Sequence, residues 1–146
     1  LPPQAGRQLL QGLTFTEPDD VAELADQMTI RLAGVELVVD HAPGHTPGSV
    51  TFRARDGVMF SGDLLFAGSI GRTDLPGGDY PAILDSLARV CLTLPDDVQV
   101  LPGHGPQTTI GAERAGNPFL AGLTPGAPPG APAAPAGRPR RGRPGL

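Results

Sequence analysis

His41-Ala42-Pro43-Gly44-His45-Thr46-Pro47-Gly48-Ser49 is the stretch on which the reading of this 146-residue chain turns. Pro43, Gly44, Pro47 and Gly48 break any helix, so these nine residues form a loop, and His41 and His45 need not point the same way despite their helical spacing. The loop lies between two apolar runs of strand character, Val35 to Asp40 and Val50 to Ala54. Two further segments repeat the arrangement: Ser61-Gly62-Asp63 after Val58-Met59-Phe60, and Pro102-Gly103-His104-Gly105 after Val98 to Leu101. All three histidines of the chain fall in these strand-end, glycine-rich loops, where layered folds collect functional residues.

Working outward, Met28, Ile30 and Leu32 alternate with Thr29 and Arg31, and Ala33-Gly34 supplies a tight turn into Val35, which predicts a β-hairpin. Asp56-Gly57 turns the chain between Val50–Ala54 and Val58–Phe60 in the same way. Residues 62–79, with five glycines, read as a loop. Asp79 is placed to cap a helix that tolerates Pro81 in its first turn. The stripe Ile83, Leu84, Leu87, Val90, Cys91 gives that helix one apolar face. Pro95-Asp96-Asp97 ends it, Val98–Leu101 is a short buried strand, and Thr108 or Thr109 caps a last helix reaching about Gly116. A short acidic-start helix is expected over Val21–Leu24 after Pro18. Leu9, Leu10 and Leu13 are too few to define an element. Hairpins followed by helix, strand and helix predict sheets covered by helices, a layered α/β or α+β architecture.

Composition divides the chain. Residues 124–146 hold 7 Pro and 5 Gly, and composition of that kind buries too little apolar surface to fold, so a disordered Pro/Gly/Arg-rich tail is expected beside a body of residues 1–123. The body carries 7 Arg against 15 Asp and Glu, an acidic balance that argues against nucleic acid as a partner; the four tail arginines read as a solvated linker. No apolar run approaches the ~18–20 residues of a membrane span, so no membrane partner is expected. Cys91, the single cysteine, allows no internal disulfide; it reads as a small buried hydrophobe, compatible with a cytoplasmic protein.

Two imidazoles and a carboxylate are the donor set expected for Zn²⁺ or for non-haem iron or manganese, and His45, Asp63 and His104 could supply it; the alternative is that these loop histidines are turn or hydrogen-bonding residues. His41 reads as a structural residue or one that orients a ligand. A Ser-His-Asp triad through Ser49 or Ser61 is set aside, since neither serine sits in a Gly-x-Ser-x-Gly elbow.

GHTPGS at 44–49, FSGD at 60–63 and LPGHG at 101–105, in this order, resemble the C-terminal half of a metallo-β-lactamase-fold hydrolase. GSIGRTDLPGGD at 68–79 and TTIGAERAGNPFL at 108–120 narrow the resemblance, which covers roughly residues 28–120, to the short bacterial glyoxalase II-like (hydroxyacylglutathione hydrolase-like) branch. The resemblance implies an αββα sandwich with two divalent metal ions, zinc or else iron or manganese. It implies that His45 ligates the first metal, that Asp63 bridges both and is the catalytic aspartate, and that His104 ligates the second. Arg72, Thr73 and Asp74 would border the site as a substrate loop. The implied reaction is hydrolysis of a small-molecule thioester by a hydroxide shared between the cations.

The branch's His-x-His-x-Asp-His motif is missing, since residues 1–40 contain no histidine. It would supply four of seven ligands. The expectation is therefore a C-terminal portion, an incomplete sandwich with apolar sheet surface uncovered and little activity alone. The tail also stands where the long glyoxalase II type carries a glutathione-binding helical domain. Two alternatives stay open: a persulfide dioxygenase-like mononuclear iron enzyme, which shares Gly71-Arg72-Thr73-Asp74 but against which LPGHG argues, and a non-catalytic remnant or binding module.

Overall fold

The computed structural model describes residue 14 and residues 16–126; Leu9, Leu10, Leu13 and the tail from residue 127 lie outside the described residues. The predicted hairpins form. Strand β1 (Thr29–Leu32) pairs antiparallel with β2 (Val35–His41) across Ala33-Gly34, both at positive φ as a two-residue hairpin turn requires. β3 (Val50–Ala54) pairs with β2 and with β4 (Val58–Gly62), again antiparallel. Where a plain loop was expected after Gly62, a small hairpin forms instead, β5 (Leu65–Phe66) with β6 (Ser69–Ile70). Helix α1 (Tyr80–Ser86) follows, with the Asp79 side chain accepting from the Ala82 N–H, and it runs on into a π-helical turn, Leu87–Cys91. β7 (Gln99–Pro102) then pairs parallel with β4, and the short β8 (Thr108–Thr109) pairs with β7. Thr109, not Thr108, caps helix α2 (Ile110–Gly116) through the Ala112 N–H.

The result is one mixed six-stranded sheet in the order β1-β2-β3-β4-β7-β8 and a separate two-stranded hairpin. Its register puts Met59 opposite Val100 and Arg53 opposite Met59, so these side chains share one face. That face packs under the helices: Met59 and Val100 meet Ile83, Leu87, Val90, Cys91 and Ile110 in a core from which water is excluded. The same face carries Asp40, fully buried, whose carboxylate receives Arg53 and the Gln27 amide. Burial within the core pushes the Cys91 thiol up to about 12, as befits an inert packing residue.

Among the described residues the opposite face is apolar and partly open. Ile30, Leu32, Leu37, Phe52 and Phe60 line an open groove of about 310 Å³, with Leu32 65% and Phe60 43% exposed. Among the described residues the structure is thus α+β, as expected, with helices packed on one face of the large sheet.

One expected element is absent. Residues 20–25 have no regular structure and Val21 is 75% exposed, because four residues do not offset the cost of nucleating a helix. At the other end, the Gly126 N–H still bonds the Ala88 carbonyl, so packing continues slightly past residue 123. Among the described residues no helix is long and apolar enough to cross a membrane.

The two faces predict opposite mutational responses. Ile83→Ala, at a site with no exposure, is expected to lower the unfolding free energy by about 2–5 kcal/mol. Leu32→Ala on the open face should stay within about 0.5 kcal/mol. Urea unfolding midpoints measure both.

Candidate functional site

The strand directions assemble the site. β2 and β4 are both antiparallel to β3, and β7 is parallel to β4, so β2, β4 and β7 run the same way. The loops that leave their C-terminal ends therefore open along one edge of the sheet, where α/β layers bind ligands. His45 follows β2 by four residues, Asp63 follows β4 directly, and His104 follows β7 by two. All three line one cavity of about 410 Å³.

Asp63 is aimed by a break in the ladder. The β4–β7 register shifts between Phe60 and Gly62, and Gly62 takes a φ of +53°, so the bulge redirects the next side chain out of the sheet. The Gly103 N–H bonds the Gly62 carbonyl at 2.8 Å, which draws the His104 loop against β4. A Cβ on Gly103 would stand 2.5 Å from Asp63 Oδ1, and one on Gly71 would collide with the Asp63 carbonyl oxygen. Both positions need glycine for this close approach.

Asp63 lies between the two imidazoles: His45 Nε2 is 3.4 Å from Oδ2, and His104 Nε2 is 3.6 Å from Oδ1. His45 Nδ1–H donates to the Arg72 carbonyl at 2.8 Å, which leaves the Nε2 lone pair facing Asp63. Separations of 3.4 and 3.6 Å are too long for strong hydrogen bonds. Two donors on one tetrahedral cation with bonds of about 2.0–2.2 Å stand roughly 3.3–3.6 Å apart, so both spacings suit a cation between the partners. The donor count is another matter. Each position receives one nitrogen and one oxygen, and among the described residues no three His, Cys, Asp or Glu groups gather around one point. The residues fit the bridging half of a two-cation site and not a whole one, since catalytic zinc keeps three protein ligands.

The other expected residues separate. Arg72 lines the cavity, whereas Thr73 and Asp74 do not. Arg72 instead grips Asp74 through two 2.8 Å bonds, a fork that braces the loop presenting the Arg72 carbonyl to His45. His41 does not line the cavity: its Nε2–H donates to the Pro47 carbonyl, while the His45 ring is bonded by the Arg72 carbonyl. Ser61 Oγ–H donates to the Leu65 carbonyl and Ser49 Oγ bonds Thr46, so both serines hold turns. Sequence reasoning missed Phe66, whose ring stacks on His104 at 4.6 Å and 29°. Nothing in a two-residue strand marks such a partner in advance.

The Arg72 guanidinium, followed by Asp74's own backbone N–H, lowers the Asp74 carboxyl from 3.8 to about 2. A depressed carboxylate favours the folded loop fully above pH 3.8, and that contribution is lost as pH falls through about 2. In Arg72→Ala the Asp74 carboxyl carbon should titrate back toward 3.8, as NMR would record. Gly71→Ala should cost about 1–3 kcal/mol of stability by overpacking against Asp63, measurable by urea unfolding.

The family model of the metallo-beta-lactamase superfamily matches residues 2–104, beginning well before residue 28. Hydroxyacylglutathione hydrolase GloC of Haemophilus influenzae is 42% identical over 121 residues, covering 82% of this chain and 57% of that protein. The crystal structure of TTHA1623 in a di-iron-bound form matches with a TM-score of 0.66 and 49% identity, over 80% of this chain and 57% of the other. ETHE1 from Myxococcus xanthus matches with a TM-score of 0.65 and 31% identity, over 79% and 54%. The chain thus spans little more than half the length of these relatives. With three glycine-framed loops at one sheet edge and a family match over most of its length, the chain belongs to the metallo-beta-lactamase superfamily.

Proposed function

We propose that these residues belong to a metal-dependent hydrolase of small-molecule thioesters such as hydroxyacylglutathione. Asp63, His45 and His104 are the residues that would hold the divalent cations there. The observation that carries the reading is Asp63 between two imidazoles at cation-compatible spacings. The similarity to GloC supports the thioester substrate, and the di-iron form of TTHA1623 supports a two-metal site while leaving zinc, iron and manganese open. The cations would supply a nucleophilic hydroxide and stabilise charge on the thioester oxygen. The remaining donors come from sequence outside these residues, so the chain alone is expected to be inactive.

The chain's own residues perform the positioning. The Arg72 carbonyl keeps the proton of His45 on Nδ1 and its lone pair on Nε2. Gly71 and Gly103 let backbone pack directly against Asp63, which fixes the carboxylate without a side chain in the way. Phe66, Ala67, Ile70 and Pro106 give the cavity apolar walls suited to an acyl chain and sparing in water.

The test uses the longer protein that includes the sequence preceding these residues. That sequence should contain His-x-His-x-Asp-His, and its absence would sink the reading. Elemental analysis should find two metals per chain, with turnover of lactoylglutathione. Asp63→Ala should lower turnover by more than the roughly 10–100-fold lost when a group behind a ligand is removed. The ETHE1 neighbour favours one other reading, a mononuclear iron persulfide dioxygenase, for which one iron per chain and oxygen uptake would be the signature.

A further inference from the structure

His104 is the least enclosed of the three site residues, its side chain 74% exposed against 23% for His45. His45 is held by a carbonyl on its far nitrogen, whereas His104 has the stacked ring of Phe66. Phe66 belongs to the β5–β6 hairpin, two strands of two residues each, too short to hold a position by their own pairing. Its base is anchored where Leu65 enters the core and the Ser61 hydroxyl bonds the Leu65 carbonyl. Its tip is held by a buried pair on and just beyond α2, in the segment 108–120 whose motif the site has not otherwise used.

Glu113 is 5% exposed and Asn117 3%. Glu113 Oε2 accepts the Gly68 N–H at 2.9 Å, at the tip of the hairpin, while Oε1 accepts the Thr108 hydroxyl at 2.7 Å, four residues after His104. The Asn117 amide donates to Glu113 Oε2 at 2.7 Å and to the Ser69 carbonyl at 3.1 Å. One carboxyl group therefore bonds both the hairpin and the segment leaving the His104 loop, and Asn117 locks the hairpin from a second side.

We propose that Glu113 and Asn117 form a clamp that positions His104, fixing the hairpin so that Phe66 stays stacked on the imidazole. Both are positioning residues, since neither lines the cavity. Strain in this clamp would swing the His104 ring away from Asp63 while the main core, built on Met59, Val100 and Leu87, stayed packed. The importance of the clamp for catalysis rests on the hydrolase reading above.

NMR on the isotope-labelled full chain tests the clamp without any metal or substrate. A ring stacked at 4.6 Å displaces the His104 ring protons upfield. Glu113→Leu, which keeps an apolar side chain in the buried space, is expected to abolish that displacement, bringing His104 to the position seen in Phe66→Leu. The Gly68 amide should lose its hydrogen-bonded shift together with it, and the His41 ring protons should stay in place. Glu113→Gln should restore the wild-type spectrum, because its oxygen can accept from Gly68 and Asn117 while its amide donates to the Thr108 hydroxyl. Unmoved His104 protons alongside a shifted Gly68 amide would overturn the proposal, as would a Gln variant that resembles Leu. If Glu113→Leu does not fold, Asn117→Ala must move His104 partway in the same direction, and no movement overturns the clamp. Failure of the hydrolase reading would show instead in metal content and turnover, so the two remain distinguishable.

Discussion

The common direction of β2, β4 and β7 is the constraint on which the site depends. Two antiparallel steps through β3 and one parallel step from β4 to β7 bring residues 45, 63 and 104 to a single edge. The parallel step demands a crossover, and the chain between β4 and β7 supplies it as the hairpin, the Arg72 loop and α1. The crossover serves the site twice. It lays Ile83 and Leu87 over Met59 and Val100, and it carries the Arg72 carbonyl to His45 and Phe66 to His104.

Close backbone packing then turns proximity into geometry. Asp63 has Gly103 beside its carboxylate and Gly71 beside its carbonyl, and the bulge at Gly62 aims it. Side chains at these glycines would push the loops apart, and the spacings of 3.4 and 3.6 Å to the imidazoles would be lost. The site's precision thus comes from absent side chains as much as from the donors. Among the described residues the same sheet leaves its other face apolar and open at Leu32 and Phe60.

Much of the fold was legible because the signals were local. The alternation from Met28 to Leu32, the turns at Ala33-Gly34 and Asp56-Gly57, the Asp79 cap and the Ile83–Cys91 stripe each involve neighbours in sequence, and all appear in the structure. The helix over Val21–Leu24 failed because four residues are too few to nucleate one and Val21 is left exposed. The β5–β6 hairpin went unseen, since strands of two residues are too short for periodicity and are held by Glu113, 45 residues from Gly68.

His45, Asp63 and His104 stood out in the sequence as candidates because two imidazoles and a carboxylate in glycine-rich strand-end loops form a donor set, but the same signal marks His41, which bonds its own loop. The nature of each residue, its loop and the turn chemistry around it are properties of short segments. Which oxygen of Asp63 faces which imidazole, that His41 pins its own loop, and that Phe66 lies on His104 were decided only by the tertiary structure. These relations depend on strand direction, on a one-residue bulge and on a buried carboxyl group joining distant segments. None of them leaves a periodic or compositional trace along the chain.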